Sequence, residues 1–257
     1  MPPTDLTGQV VLISGASAGI GAATARAFAE GGCRLALGAR RLDRLDLLAA
    51  ELQESVAAEV FTHPLDVTDP GSIKDFTEAV HLHYGQVDIL VNNAGLAVGV
   101  DPVLQATDEA WVAMLDTNVL GVLRLTRAVV PGMVARGRGH VVMLGSIAGR
   151  YFYEGGSVYC GTKWALRAIT GALRIELNGT PIRISSIDPG MVETEFSVVR
   201  LGAQEKADKV YAGMTPLAPA DIADCILWAC TRPSHVNIDE ILVQPVDQAY
   251  TVKVARR

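Results

Sequence analysis

The sequence predicts an α/β chain of one domain, a doubly wound parallel sheet flanked by helices. Three observations carry that expectation. Short apolar, β-branched runs alternate with helix-length segments. The first run opens directly into a glycine-rich turn. The ends of several runs carry small or polar residues, which in a parallel sheet would face one crevice. A length of 257 residues, 49% of them hydrophobic and 19% charged, is enough for one large core.

The elements follow in order. Residues 9–14, Gln9-Val10-Val11-Leu12-Ile13-Ser14, read as a strand buried on both faces. Gly15-Ala16-Ser17-Ala18-Gly19-Ile20-Gly21 comes next, and then a helix over 22–30 that ends at Gly31-Gly32. Strand, glycine turn and helix together make a Rossmann-like phosphate-binding unit, because glycine lets backbone approach a pyrophosphate and the helix N-terminus offers N–H groups to it. A second strand, 34–39, ends in Arg40-Arg41, with a helix expected over 42–54. A third strand at 60–64 leads to Asp66-Val67-Thr68, a helix follows over 72–84, and a strand at 87–91 ends in Asn92-Asn93-Ala94-Gly95. One long apolar helix is expected over 109–135, then strands at 139–144 and 182–187 around a helix running from Tyr159 to about residue 178. A last strand covers 239–244. The polar, helix-prone stretch 195–217 has no strong core pattern and is the natural lid. The whole chain, 1–257, is thus expected to be one dinucleotide-binding catalytic domain.

At the end of the second strand a dinucleotide fold meets the adenosine ribose, where an acid accepts from the 2'-hydroxyl of NAD and an Arg accommodates the 2'-phosphate of NADP. Positions 38 to 41 hold no acid and two guanidiniums, Arg40 and Arg41, so NADP(H) is the expected cofactor. The same arginines could instead pair with acids of the helix that follows.

Composition excludes other classes. A net charge of -6 gives no basic field for nucleic acid or an anionic membrane. No stretch reaches about 18 uninterrupted apolar residues, and Met1 to Gly8 lacks a cationic start before an apolar run, so a cytoplasmic location is expected. The cysteines at 33, 160, 225 and 230 form no C-x-x-C pair. His81 and His83, two apart on an expected helix, point to different faces, and no metal is expected.

The chemistry concentrates in Tyr159 and Lys163. Four residues apart on a helix, they share one face. A nearby ammonium makes a phenolate easier to form, one way to build a general acid/base for a carbonyl/alcohol interconversion. Ser146, shortly before, could hydrogen-bond the reacting oxygen.

Ser14-Gly15-x-x-x-Gly19-Ile20-Gly21, Asn92-Asn93-Ala94-Gly95, Ser146, Tyr159-x-x-x-Lys163 and Pro189-Gly190 together resemble the short-chain dehydrogenase/reductase family in order and spacing, from about Gly8 to Gln248. Ser14 departs from the usual Thr. The resemblance implies that Tyr159 is the catalytic acid/base, that Lys163 lowers its pKa and binds the nicotinamide ribose, and that Ser146 holds the substrate oxygen. It implies that Asn118 maintains a water-linked proton path from Lys163. It places Gly15, Ser17, Ala18, Gly19, Ile20 and Gly21 at the phosphates and Asp66 and Val67 at the adenine. Asn93, Ala94 and Gly95 would line the cofactor, and Pro189, Gly190, Val192 and Thr194 its nicotinamide end.

Residues 93–99, 156–159, 195–200 and 232–238 look closest to the branch of NADP-dependent 3-hydroxy acid and serine or allo-threonine dehydrogenases. That likeness implies a small 3-hydroxy acid or β-hydroxy amino acid, whose carboxylate needs a cation; Arg150 and Arg200 are the two candidates. The alternative is an NADPH-dependent aldehyde or ketone reductase of sulfoacetaldehyde or clavulanate-aldehyde type. A non-catalytic NADP-binding regulator is more remote, because Asn118, Ser146, Tyr159 and Lys163 are all present. The helices 109–135 and 159–178 are apolar on more than one face, and family members commonly form tetramers through them, so a homotetramer is expected.

Overall fold

A computed structural model describes residues 4–257. Seven strands lie in one sheet: β1 (Val10–Ser14), β2 (Arg34–Ala39), β3 (Val60–Pro64), β4 (Ile89–Asn92), β5 (Gly139–Leu144), β6 (Ile182–Pro189) and β7 (Glu240–Val243). Every neighbouring pair is parallel, in the order β3-β2-β1-β4-β5-β6-β7. The order reverses between β1 and β4, and ligands of such sheets bind at that switch point, outside the carboxyl ends of the strands.

β1 shows why the sheet is buried on both faces. Successive side chains of a strand point to opposite sides. Val11 and Ile13 therefore pack with α1 (Gly19–Glu30), α2 (Leu42–Val56) and α9 (Pro219–Cys230). Val10 and Leu12 pack on the other face with α3 (Pro70–Tyr84), α5 (Val122–Arg136) and α6 (Ser157–Glu176). These four apolar residues of β1 are fully buried, each contributing on the order of 1.5–3 kcal/mol of hydrophobic stabilisation.

Three differences from the sequence expectation position the site. First, α1 begins at Gly19 rather than at 22, so the glycine turn supplies the first helical turn, and Gly19 and Ile20 line the cavity described below. Second, the expected single helix over 109–135 is α4 (Asp108–Leu115), a π-helical stretch Asp116–Gly121, and α5. The wider π turn carries Asn118, and such turns cluster at functional sites. Third, α9 was not expected. Pro219 starts it, Asp221 Oδ2 accepts from the Ala218 N–H at 2.8 Å, and Ile222, Ala223, Ile226, Ala229 and Cys230 bury one face. That apolar period is legible once the segment is set apart from the polar stretch 195–217 before it.

The run Asp108–Arg136 is the one helix, among the described residues, long and apolar enough to cross a membrane by length and composition, with mean hydropathy 1.2. Its Leu125, Val129, Val130 and Met133 pack against the sheet, as a core helix of that composition would.

Candidate active site

A cavity of about 670 Å³ opens at the carboxyl ends of β1, β2, β4, β5 and β6. Gly15, Ser17, Ala18, Gly19, Ile20, Arg40, Arg41, Asp66, Val67, Asn93, Ala94 and Gly95 stand on its walls, and so do Ser146, Tyr159, Lys163, Pro189, Gly190, Val192, Thr194 and Arg200. Gly21, Asn118 and Arg150 do not line it.

Gly21 is required for packing. A Cβ there would lie 2.5 Å from both the Gly15 carbonyl oxygen and Asn93 Nδ2. Asn93 Nδ2 donates to the Ser14 and Gly15 carbonyls at 2.9 and 3.1 Å, which ties the glycine turn to the loop after β4. Gly15 has φ of 69°, a conformation that L side chains rarely adopt, and a Cβ there would meet Ala94 Cα at 2.9 Å. Ser14, standing where the family usually has Thr, accepts from the Asn93 and Ala94 N–H groups at 3.1 Å each. Its hydroxyl is what that position uses.

At the outer end, Arg41 donates through Nε and Nη2 to Ser17 Oγ at 3.3 and 3.1 Å. Its partner acid lies outside the helix that follows. Arg41 Nη1 meets Glu195 Oε2 at 2.9 Å, and Arg44 Nη1 meets Glu195 Oε1 at 2.6 Å. Arg40 and Asp66 face the same end of the cavity.

At the inner end, Ser146 is extended at φ -173° and caps the short 3₁₀ turn Ile147–Gly149, its Oγ accepting from the Ala148 N–H at 3.1 Å. Tyr159 and Lys163 share the α6 face toward it. Lys163 Nζ donates to the Leu144 carbonyl at 2.8 Å and lies 5.9 Å from the Tyr159 ring centroid. Burial pushes the Tyr159 phenol above its ordinary value, and nearby Tyr153 adds to that; the Ser146 hydroxyl and the Arg200 guanidinium pull it back. The sequence expectation assigned that lowering to Lys163, whereas here the opposing groups are Ser146 and Arg200, and burial outweighs both. Burial also lowers Lys163 to about 8, against the pull of the buried Asp188. Asp188 is itself pushed up by burial and steadied by Ser186 Oγ at 2.6 Å and Arg150 Nη2 at 3.2 Å.

Asn118 is a clamp in this arrangement. Its Oδ1 accepts from the Leu96 N–H and its Nδ2 donates to the Leu96 carbonyl, both at 2.8 Å, with a further bond to Thr162 Oγ1 at 3.1 Å. A Cβ on Gly95 would stand 3.3 Å from Asn118 Oδ1 and 3.9 Å from Lys163 Nζ, so the two side chains flank one spot beside Gly95.

The two candidate cations separate. Arg150 pairs with Asp188 and with Glu240, so its charge is already met by two carboxylates. Arg200 meets no carboxylate among the described residues. Its Nε donates to the Gly99 carbonyl at 3.0 Å, and its guanidinium carbon lies 5.2 Å from the Tyr153 ring centroid and 5.7 Å from that of Tyr159. Around it the cavity is lined by Val100, Tyr153, Phe196, Val199, Tyr211 and Val252. The stretch 195–217 folds as α7 (Glu195–Leu201) and α8 (Gln204–Tyr211), with Arg200 and Gly99 exchanging hydrogen bonds across the mouth.

Asp188, Arg44, Glu195 and Tyr153 escaped sequence reasoning. Each also meets a partner distant in the chain, Arg150 for Asp188, Glu195 for Arg44 and Arg200 for Tyr153, and spacing carries no signal for such a pairing.

Comparison with known proteins gives the family. Residues 9–204 match the family model described as short chain dehydrogenase. The chain is 46% identical over 254 residues to the NADP-dependent 3-hydroxy acid dehydrogenase of Schizosaccharomyces pombe, covering 98% of each chain. It is 42% identical over 241 residues to serine 3-dehydrogenase of Agrobacterium fabrum, covering 93% of this chain and 95% of that one. Its structure matches the closed form of serine dehydrogenase complexed with NADP+ at a TM-score of 0.90 and 39% identity, covering 97% of this chain and 100% of the other.

Proposed function

From the premise that this chain belongs to the short-chain dehydrogenase family, we propose that it is an NADP(H)-dependent oxidoreductase interconverting a hydroxyl and a carbonyl on a small 3-hydroxy acid or β-hydroxy amino acid. One observation carries the substrate class: the cavity wall beside Tyr159 holds Arg200, a guanidinium with no acidic partner among the described residues. A carboxylate on the substrate would supply the missing charge and the forked geometry. The relatives named for 3-hydroxy acid and serine dehydrogenation point the same way.

The cavity fits NADP(H). Gly15 and Gly21 leave room that a Cβ would fill, the first turn of α1 presents N–H groups to a pyrophosphate, and Arg40 and Arg41 stand where a 2'-phosphate belongs. When bound, the cofactor takes or gives the hydride at its nicotinamide.

The chain's own residues handle the proton and the orientation. Tyr159, held protonated by burial, gives its proton to the carbonyl oxygen during reduction and regains one from water by way of Lys163; in oxidation it first releases its proton along that path and then takes the hydroxyl proton as the phenolate. Ser146 donates to that oxygen and fixes its position. Lys163, held by the Leu144 carbonyl, would hold the ribose of the bound cofactor and passes the proton outward past Asn118. Arg200 fixes the carboxylate end, and the 195–217 lid excludes water from the reacting carbon.

Two broader assignments complete the reading. Exposed Val112, Leu115, Leu120 and Leu123 on the α4–α5 run, with Trp164 and Ile175 on α6, support a homotetramer built on these helices. Four unpaired cysteines support a reducing, cytoplasmic setting.

The test is steady-state turnover, followed by nicotinamide absorbance, with NADP and NAD across L-serine, L-allo-threonine, other 3-hydroxy acids and neutral aldehydes. Turnover of the hydroxy acids with NADP is expected. Reduction of neutral aldehydes or ketones alone would sink the substrate class and leave the chemistry of Tyr159 standing.

A further inference from the structure

The arginines at the outer end of the cavity are bound to the lid. Glu195 is the first residue of α7, and both of its oxygens are engaged, one by Arg41 and the other by Arg44. Arg41 continues to Ser17 in the glycine turn. A chain of polar contacts therefore runs from the lid across the mouth of the cavity to the phosphate-binding loop.

The charges do not balance. Two guanidiniums converge on a carboxylate with a single negative charge, whereas a 2'-phosphate carries close to two and has three acceptor oxygens. The Arg41 and Arg44 side chains are 43% and 41% exposed and that of Glu195 46%. Ion pairs this exposed contribute little, so a dianion can displace the carboxylate.

We propose that Glu195 determines cofactor specificity by occupying Arg41 and Arg44 in place of the 2'-phosphate and yielding them when NADP(H) binds. Arg44 thereby joins Arg40 and Arg41 as a phosphate ligand. The exchange frees the first turn of α7, whose last turn carries Arg200 beside Tyr159. The extra phosphate of NADP(H) thus loosens the helix that holds the substrate cation, and NAD(H), with a hydroxyl there, leaves it latched.

This inference rests on the NADP(H) reading, and one experiment separates the two. NADPH and NADH are titrated by nucleotide fluorescence against the wild type, Glu195→Gln and Arg44→Ala. Glu195→Gln is expected to bind NADPH roughly two- to fivefold tighter with NADH unchanged, and Arg44→Ala to weaken NADPH selectively. Weaker NADPH binding by Glu195→Gln, equal changes for both nucleotides, or no change would overturn the role of Glu195. A wild type that binds NADH as well as NADPH would overturn the cofactor reading itself.

Discussion

The Arg200 guanidinium carbon lies 5.7 Å from the centroid of the Tyr159 ring, which brings a residue of α7 against a residue of α6 on one cavity wall. Arg200 is the second group, after Ser146, that pulls the phenol back toward its ordinary range. Under the proposed function it would act on substrate binding and on the proton donor together.

Arg200→Met should raise KM for carboxylate substrates and cost roughly tenfold in kcat/KM, the scale of one charge-assisted hydrogen bond at a partly exposed site. Neutral aldehydes should be spared in KM. Kinetics on matched acid and aldehyde substrates check this, and equal losses on both would assign Arg200 to the proton step alone.

Arg150→Ala should behave differently. It leaves the buried Asp188 without its guanidinium, so thermal stability should fall by about 3 kcal/mol while KM for the acid stays near the wild-type value. A raised KM with unchanged stability would return Arg150 to the substrate site.

Tyr159→Phe should lower kcat by at least ~10²-fold, the usual contribution of a positioned acid/base, with NADPH affinity nearly intact. Retained turnover would remove Tyr159 from the proton step.

Replacing Arg40 and Arg41 together with Ala should weaken NADPH far more than NADH. Direct titration of both nucleotides checks this, and an equal effect would count against 2'-phosphate recognition.

The lowered pKa of Lys163 has a consequence for stability. A cation whose pKa falls from 10.5 to about 8 on folding costs stability while protonated in both states. As pH rises from 8 toward 10.5 the folded state sheds this proton before the unfolded state does, so that cost is progressively relieved. Urea unfolding of the cofactor-free protein and of Lys163→Met, compared between pH 8 and 10, should show the wild type gaining on the variant as pH rises. A constant gap would mean that Lys163 keeps an ordinary pKa in the folded protein.

Much of the fold was legible because its signals are local. Val10, Val11, Leu12 and Ile13 make an apolar run too short for a helix, and Gly15, Gly19 and Gly21 mark the turn that must approach other backbone. The strand spans 34–39, 60–64 and 139–144 agree with the structure residue for residue. The π turn at Asn118 had no such signal, since an extra residue in a helical turn is set by what the turn packs against. α9 did carry an apolar period, hidden by its place directly after the polar lid.

The sequence by itself determined the sheet, the glycine turn, the pairing of Tyr159 with Lys163 and the two arginines after β2. Each depends on spacings of a few residues, which backbone geometry converts directly into shared faces and turns. Only the tertiary structure decided which cation is free and which is spent. Arg150 and Arg200 have equal charge and similar settings in the sequence, but β6 and β7 bring Asp188 and Glu240 to the first, while α7 sets the second over Tyr159. In the same way Glu195 reaches Arg41 across 154 positions. Electrostatic energy depends on distance through space, and the order of residues along a chain leaves that distance open until the chain is folded.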